Sequence, residues 1–258
     1  MLEVLRPTPQ TAEVWLNRPE VRNAFNDGMI ADLTQAFREL GADPLLRCIT
    51  LGGRGKAFCA GADLNWMKAM ASYDWEGNRA DAQALADMLH TLYACPVPIV
   101  GRVHGDCYAG GVGLAAVCDV LVAAQGVQFC LSEARLGLLP ATIGPYVVKA
   151  LGEQASRRYF ITAERFTAEE GHHLGFVHEC VPAEGLDVRV QGVVQALVNN
   201  GPAAVKACKQ LVHDVADRPI TADLRADTAR RIADIRVSDE GKVGIRSFLD
   251  KSTPPWLN

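Results

Sequence analysis

The sequence has no long uncharged apolar run, no excess of basic charge and no C-x-x-C cysteine pair. Each absence removes a class of protein. The longest weakly polar stretch, Ala109 to Val127, carries Asp119 in its middle. An Asp at the centre of a membrane helix costs about 3 kcal/mol. Gly110, Gly111, Gly113 and Gly126 in the same stretch fit a packed turn-and-core segment, not a membrane span. With 26 basic and 30 acidic side chains the formal net charge is −4. That argues against non-specific nucleic-acid binding, which works by neutralising phosphates. A small anionic ligand held by a few local Lys or Arg stays open. The eight cysteines lie mostly in apolar segments. They read as small buried hydrophobes in a reducing compartment, with no disulfide or zinc framework. Met1 to Gln10 shows no apolar core of a signal peptide, so a cytoplasmic protein is expected. No His-x-x-x-His pair, G-x-S-x-G elbow or EF-hand loop is present. No metal site is expected.

What is there is an ordinary globular composition: 258 residues, 49% hydrophobic and 22% charged. That length buries a full core in one or two domains. Ala12 to Leu16 reads as a strand, broken by Asn17-Arg18-Pro19-Glu20, because Pro19 disfavours a helical Arg18. Asp27 fits a helix N-cap, with Ile30, Leu33, Phe37 and Leu40 at helical spacing behind it. Arg47 to Leu51 reads as a strand followed by a glycine-rich turn. Asp74 to Tyr93 reads as a long helix with Ala82, Leu85, Met88, Leu89 and Leu92 on one face. Ile99 to Val103, Val120 to Ala124 and Val127 to Leu131 read as strands. Gly105 to Gly113 reads as a glycine-rich loop that opens an Ala-rich helix, and Leu136 to Pro145 as a second loop. The order strand, strand, helix recurs. It predicts a spiral α/β core over residues 1–195 and a helical region over 196–258.

Several motifs suggest chemistry. Gly52-Gly53-Arg54-Gly55-Lys56 resembles a phosphate loop, but Ala57 stands where Ser or Thr must follow the Lys. Gly111, Gly113 and Ala116 match a dinucleotide fingerprint, and Glu133 lies 20 residues after Gly113. The acidic residue of that fingerprint should end the next strand. Here the next strand, Val120 to Ala124, ends in Gln125, so a nicotinamide dehydrogenase is disfavoured. Glycines at 110–113 let backbone N–H groups approach an anion or a developing oxyanion. Tight helix–sheet packing explains them equally. Glu133 follows an apolar strand, and a carboxylate beside apolar residues has a raised pKa suited to acid/base work. A surface ion pair with Arg135 is the plainer reading. His172 and His173 read as a solvated helix end, and Asp119 as a structural hydrogen-bond acceptor.

Taken in order, the motifs resemble the enoyl-CoA hydratase/isomerase (crotonase) family. The collinear pieces are Asn17 to Asn26, Lys56 to Leu64, Pro98 to Gly105, Ala109 to Leu114, Cys118-Asp119, Phe129, Ser132-Glu133, Leu136 to Pro140 and Phe248 to Lys251. The resemblance implies an α/β spiral of ββα units with C-terminal helices that mediate trimerisation. The assembly would be a homotrimer or a dimer of trimers. It implies an acyl-CoA thioester substrate, with the CoA part of the substrate and no separate cofactor. By position, Ala62 and Gly110 match the two backbone N–H donors of the family's oxyanion hole, and Glu133 its acid/base. Lys56 and Phe58 match positions beside the CoA phosphates and adenine, and Lys251 a basic residue near the adenine. Ala60, Asp63, Gly111 and Pro140 fall in the same substrate-binding motifs. Tyr108, Trp66, Leu138, Thr142 and Tyr146 fit an acyl pocket, and core packing explains each as well.

One departure stands out. Typical hydratases of the family carry two glutamates; Glu133 matches the second, and the first position is Gly113. Gly61 to Lys68, Phe129 to Glu133 and Arg157-Arg158-Tyr159 look most like the bacterial methylglutaconyl-CoA and isohexenylglutaconyl-CoA hydratases. Those enzymes serve leucine and acyclic terpene breakdown. An extra substrate carboxylate would call for a cation, with Arg79, Lys68 and Arg135 as candidates. The expected activity is hydration of a branched or dicarboxylic 2-enoyl-CoA. A Δ3-Δ2-enoyl-CoA isomerase needs only one carboxylate and is the alternative. A non-catalytic acyl-CoA or RNA binding protein is the alternative of another class.

Overall fold

The computed structural model of the chain describes residues 1–257. A hairpin opens it, β1 (Leu2–Thr8) with β2 (Thr11–Leu16). Helix α1 (Asp27–Ala42) follows, its N-cap supplied by Asn26, whose side chain accepts from the Met29 N–H at 2.9 Å. Asp27, the expected cap, is instead the first helical residue. Met29, Ile30, Leu33, Phe37 and Leu40 form the buried stripe of α1.

Three strand–strand–helix units come next. The first is β3 (Cys48–Gly53), β4 (Ala57–Cys59), α2 (Leu64–Met70) and α3 (Trp75–Tyr93). The second is β5 (Ile99–Val103), β6 (Asp106–Tyr108) and α4 (Gly110–Ala116). The third is β7 (Val120–Ala124), β8 (Gln128–Cys130), α5 (Gly144–Leu151) and α6 (Glu153–Thr162). Within each unit the first strand enters a six-stranded sheet, ordered β1-β2-β3-β5-β7-β10, and the second enters a four-stranded sheet, ordered β4-β6-β8-β9. This alternation makes the spiral. β9 (Arg165–Thr167), α7 (Ala168–His173), β10 (Glu179–Val181) and α8 (Leu186–Val198) complete the core. From β2 to β10 the large sheet is parallel. All six residues of β3 are buried, as a strand covered on both faces requires.

The structure corrects the sequence reading in particular places. Gly52 and Gly53 lie inside β3, not in a turn after it. Gly52 is required there because the Trp15 ring fills the space beside it: a Cβ would meet Trp15 Cζ3 at 2.6 Å. The loop 105–113 contains β6. On α3, Met88, Leu89 and Leu92 are buried, but Ala82 is exposed, so only the C-terminal half faces the core. The boundary placed at 195 falls inside α8. That helix packs on β3, β5 and β7 and buries Leu186, Val190 and Val194. The helical region therefore begins after it, with α9 (Pro202–Val215), α10 (Ala222–Val237) and α11 (Asp239–Leu249).

These last helices bury little: Leu224 on α10 and Ser247 on α11. Ile220 and Phe248 are each 83% exposed. The Glu240 carboxylate caps α9, accepting from the Ala203 and Ala204 N–H groups at 2.9 and 2.8 Å. Asp119 accepts from Ile99 N and from Lys209 Nζ, both at 2.7 Å, and so ties α9 to the core. Seven of the cysteines are buried or half-buried thiols, and Cys208 on α9 is exposed. No described helix is long and apolar enough to cross a membrane.

Candidate active site

The small sheet organises the site. Its strands β4, β6 and β8 are parallel neighbours. Ala62, Gly110 and Glu133 lie two or three residues past the C-terminal ends of these three strands. In open α/β sheets, ligands bind at such C-terminal strand ends.

Ala62 is set by the loop before α1. Asn23 adopts a left-handed φ of 57°, which Asn tolerates better than most residues. Its side chain is fully buried and saturated. Oδ1 accepts from Arg18 N, and Nδ2 donates to the carbonyls of Arg54, Ala57 and Phe58. Arg18 in turn pairs with Asp63 at 2.8 Å and donates to the Ala24 carbonyl at 2.7 Å. Phe25 then brackets the key residue: its N–H donates to Gly61 O at 2.6 Å, and its carbonyl accepts from Asp63 N at 2.7 Å. In this parallel bridge the Ala62 N–H points the other way, and it has no acceptor among the described residues.

Gly110 is the first residue of α4, so its N–H has no intrahelical partner. The chain reaches it through Ala109 at φ 48° and ψ −120°, a strained conformation for a residue with a Cβ. The Ala109 N–H donates to Cys130 O at 2.8 Å and so holds the turn to β8. The two N–H loops touch, since a Cβ on Gly61 would lie 2.9 Å from Ala109 Cβ. The packing reading of the glycine cluster holds. A Cβ on Gly110 would meet the Phe25 ring at 2.8 Å, and one on Gly111 would meet Cys59 O at 2.6 Å.

Glu133 opens a short 3-10 turn, Glu133–Leu136. Its Oε2 is buried with no hydrogen-bond partner among the described residues. Burial pushes its carboxyl above the ordinary glutamate value. Arg135 does not pair with it; its guanidinium donates to the Ala163 carbonyl at 2.6 Å. The arrangement is two free N–H donors and one desolvated carboxylate at adjacent strand ends. Such a set stabilises a developing oxyanion and moves a proton beside it.

The other expected ligand residues divide. Lys56 is exposed on the β3–β4 loop and Ala60 is half-buried beyond β4. The Phe58 ring is 0% exposed and its carbonyl is taken by Asn23, so the ring belongs to the core. Asp63 is a positioning group: besides the Arg18 pair it caps α2 through Asn65 N at 2.8 Å. Trp66 is packed in the core, its indole N–H donating to Asp81 at 2.9 Å, so the packing reading holds for it. Tyr108 is half-buried with the Arg165 guanidinium 5.4 Å from its ring centroid. Gly111 and Pro140 are buried, Thr142 and Tyr146 half-buried, Leu138 and Lys251 exposed. Arg18 and Asn23 lie in the Asn17–Asn26 motif, and the sequence alone assigns neither a role. The signal for both was an Asn able to turn left-handed beside a rigid proline.

The sequence profile of the family described as Enoyl-CoA hydratase/isomerase matches residues 9–258. An Alternaria alternata protein named Enoyl-CoA hydratase ACTT6 is 32% identical over 92% of this chain and 78% of its own length. The 2,3-dehydroadipyl-CoA hydratase of Escherichia coli is 27% identical over 93% of this chain and 92% of its own. Among solved structures, an enoyl-CoA hydratase from Shewanella pealeana superposes with a TM-score of 0.95 at 37% identity, covering 99% of this chain and 95% of that one.

Proposed function

The chain belongs to the enoyl-CoA hydratase/isomerase family, and on that footing we propose that it hydrates a branched or dicarboxylic 2-enoyl-CoA such as 3-methylglutaconyl-CoA. The observation that carries this reading is the buried, unpartnered Glu133 carboxylate at the strand end next to the one leading to Gly110. In the proposed reaction the Ala62 and Gly110 N–H groups donate to the thioester oxygen. Glu133 takes a proton from water as the oxygen attacks the β-carbon. The electron pair of the double bond moves onto the thioester as an enolate. The proton held by Glu133 then goes to the α-carbon, which restores the carboxylate. Each oxyanion donor is worth about 3 kcal/mol in such a site. CoA enters as part of the substrate, and Lys56 and Lys251 are the cations proposed for its phosphates.

The dicarboxylic class is supported by the Escherichia coli relative's name. Of the three candidate cations for a second carboxylate, Lys68 fits best. It makes no ion pair among the described residues and lies on α2, the helix that starts just after Ala62. Arg79 pairs with Glu76, and Arg135 is held by the Ala163 carbonyl. A Δ3-Δ2-enoyl-CoA isomerase is the second reading, favoured by Gly113 where a second carboxylate would otherwise stand. A carboxylate kept buried and unpaired argues for chemistry over idle binding, and the net charge of −4 argues against RNA. The proposed assembly is a homotrimer or a dimer of trimers.

The test is an assay of purified protein on 3-methylglutaconyl-CoA, with crotonyl-CoA alongside. Loss of conjugated thioester absorbance and a product heavier by one water establish hydration. Glu133→Gln is expected to slow it by about 10²–10⁴-fold. A variant as fast as the wild type overturns the mechanism. If neither substrate is hydrated but a 3-enoyl-CoA becomes conjugated without water uptake, the isomerase reading replaces it.

A further inference from the structure

Gly113 lies one helical turn beyond Gly110, on the same face of α4. The volume above it is already filled. A Cβ on Gly113 would lie 2.3 Å from Ile143 Cγ2 and 2.8 Å from Ile143 Cβ, with Leu89 Cδ2 at 3.6 Å. Ile143 is 2% exposed. It sits just before α5, and its carbonyl accepts from the Tyr146 and Val147 N–H groups, at 3.1 and 3.0 Å, which fixes the backbone that carries it. The branch at Cβ gives the side chain no flexible end to swing away. Isoleucine and glycine are thus a complementary pair: the bulk that α4 lacks is supplied from the loop ten residues after Glu133.

We infer that Ile143 is the positioning residue that sets the acid/base complement of this site. By occupying the volume over Gly113 it excludes a carboxylate from α4 and leaves Glu133 to handle every proton alone. The inference rests on the reading of Glu133 as the acid/base. It adds the reason why no second one stands opposite. The unpartnered Glu133 Oε2 agrees with it, because a second carboxylate nearby would share a proton or a water with that oxygen.

A cycle of four full-length proteins tests it: wild type, Gly113→Glu, Ile143→Gly and the double variant. Overpacking in Gly113→Glu is expected to lower the unfolding midpoint on the order of 5 °C or more. In the Ile143→Gly background the same glutamate is expected to cost much less. Where Gly113→Glu does not fold, Gly113→Ala in the same two backgrounds gives the same reading. An equal loss in both backgrounds overturns the inference. A second readout is the pH dependence of kcat/KM on crotonyl-CoA, whose acyl chain carries no titrating carboxylate. Wild type is expected to show one carboxylate ionisation and the double variant two. Two carboxylate ionisations in the wild type overturn it. A wild type that turns over no enoyl-CoA instead defeats the functional reading, and the stability cycle still decides the steric one.

Discussion

Glu133 is held in a state that costs stability. Burial raises its pKa, so between the ordinary glutamate value and its own the folded chain binds more protons than the unfolded one. Stability therefore falls as pH rises through that window. The penalty is absent below it and complete above it. Glu133→Gln is expected to raise the unfolding midpoint at pH 7 while slowing turnover as above, and the gain should vanish in acid. A thermal melt series from pH 4 to 8 checks this. Asp63 behaves oppositely. The Asn65 N–H and the Arg18 guanidinium hold its carboxyl below the ordinary value, so its contribution is present above about pH 4 and lost as pH falls through its folded pKa. The pair is nearly enclosed, its side chains 16% and 6% exposed. Arg18→Ala, which strands that carboxylate, is expected to cost about 3 kcal/mol in chemical denaturation. It should also lower kcat by loosening the Ala62 N–H. The raised carboxyl of Glu133 is legible because its apolar approach is contiguous in sequence. The work of Arg18 and Asn23 was not, because their partners lie at Asp63 and at Arg54 to Phe58, far along the chain. The core place of the Phe58 ring is not legible from its motif, because motif position does not say which way a side chain points.

Elements were legible in proportion to their length and contrast. β5 and β7 match the expected bounds: β7 is an unbroken apolar run of five and β5 is apolar but for Arg102, and such segments have one natural place in a buried parallel sheet. β6, β9 and β10 have three residues each, too few to show a period of two. α6 was missed because its exposed Glu153, Gln154, Arg157 and Arg158 leave only Ser156 and Tyr159 to bury, so no stripe stands out. The N-cap of α1 was misplaced by one residue, since Asn26 and Asp27 are both good caps. Asn26→Ala is expected to cost about 1 kcal/mol, and Asp27→Ala distinctly less, by urea titration. α3 has two halves of unlike support. Its amides before Leu85 lie over exposed residues and should exchange hydrogen well before those of Met88 to Tyr93. Exchange at equal rates along α3 would contradict that division.

As a whole molecule the chain is unevenly finished. The spiral buries a large apolar cluster, while the C-terminal region buries little and leaves Ile220, Val237, Phe248 and Leu249 exposed. Such exposed apolar surface fits the proposed assembly of several chains. Sedimentation is expected to give a multiple of the 27.8 kDa chain mass, and Phe248→Glu to shift it toward the monomer. A wild type that sediments as a single chain would refute this. The spiral itself was legible, because the strand–strand–helix order survives errors at single boundaries. The division at 195 was not, because α8 resembles the later helices in sequence and differs only in lying against the sheet. The cysteines have a practical consequence. In seven of them burial pushes the thiol pKa up, to about 12 at Cys48 and Cys59, which starves an alkylating reagent of thiolate. Cys208 alone stands open, on the face of α9. The native protein thus carries a ready-made attachment point for a single fluorophore per chain. Because α9 belongs to the region proposed to meet neighbouring chains, the rate of labelling at Cys208 would itself report assembly, fast where the thiol is open and slow where a neighbour covers it.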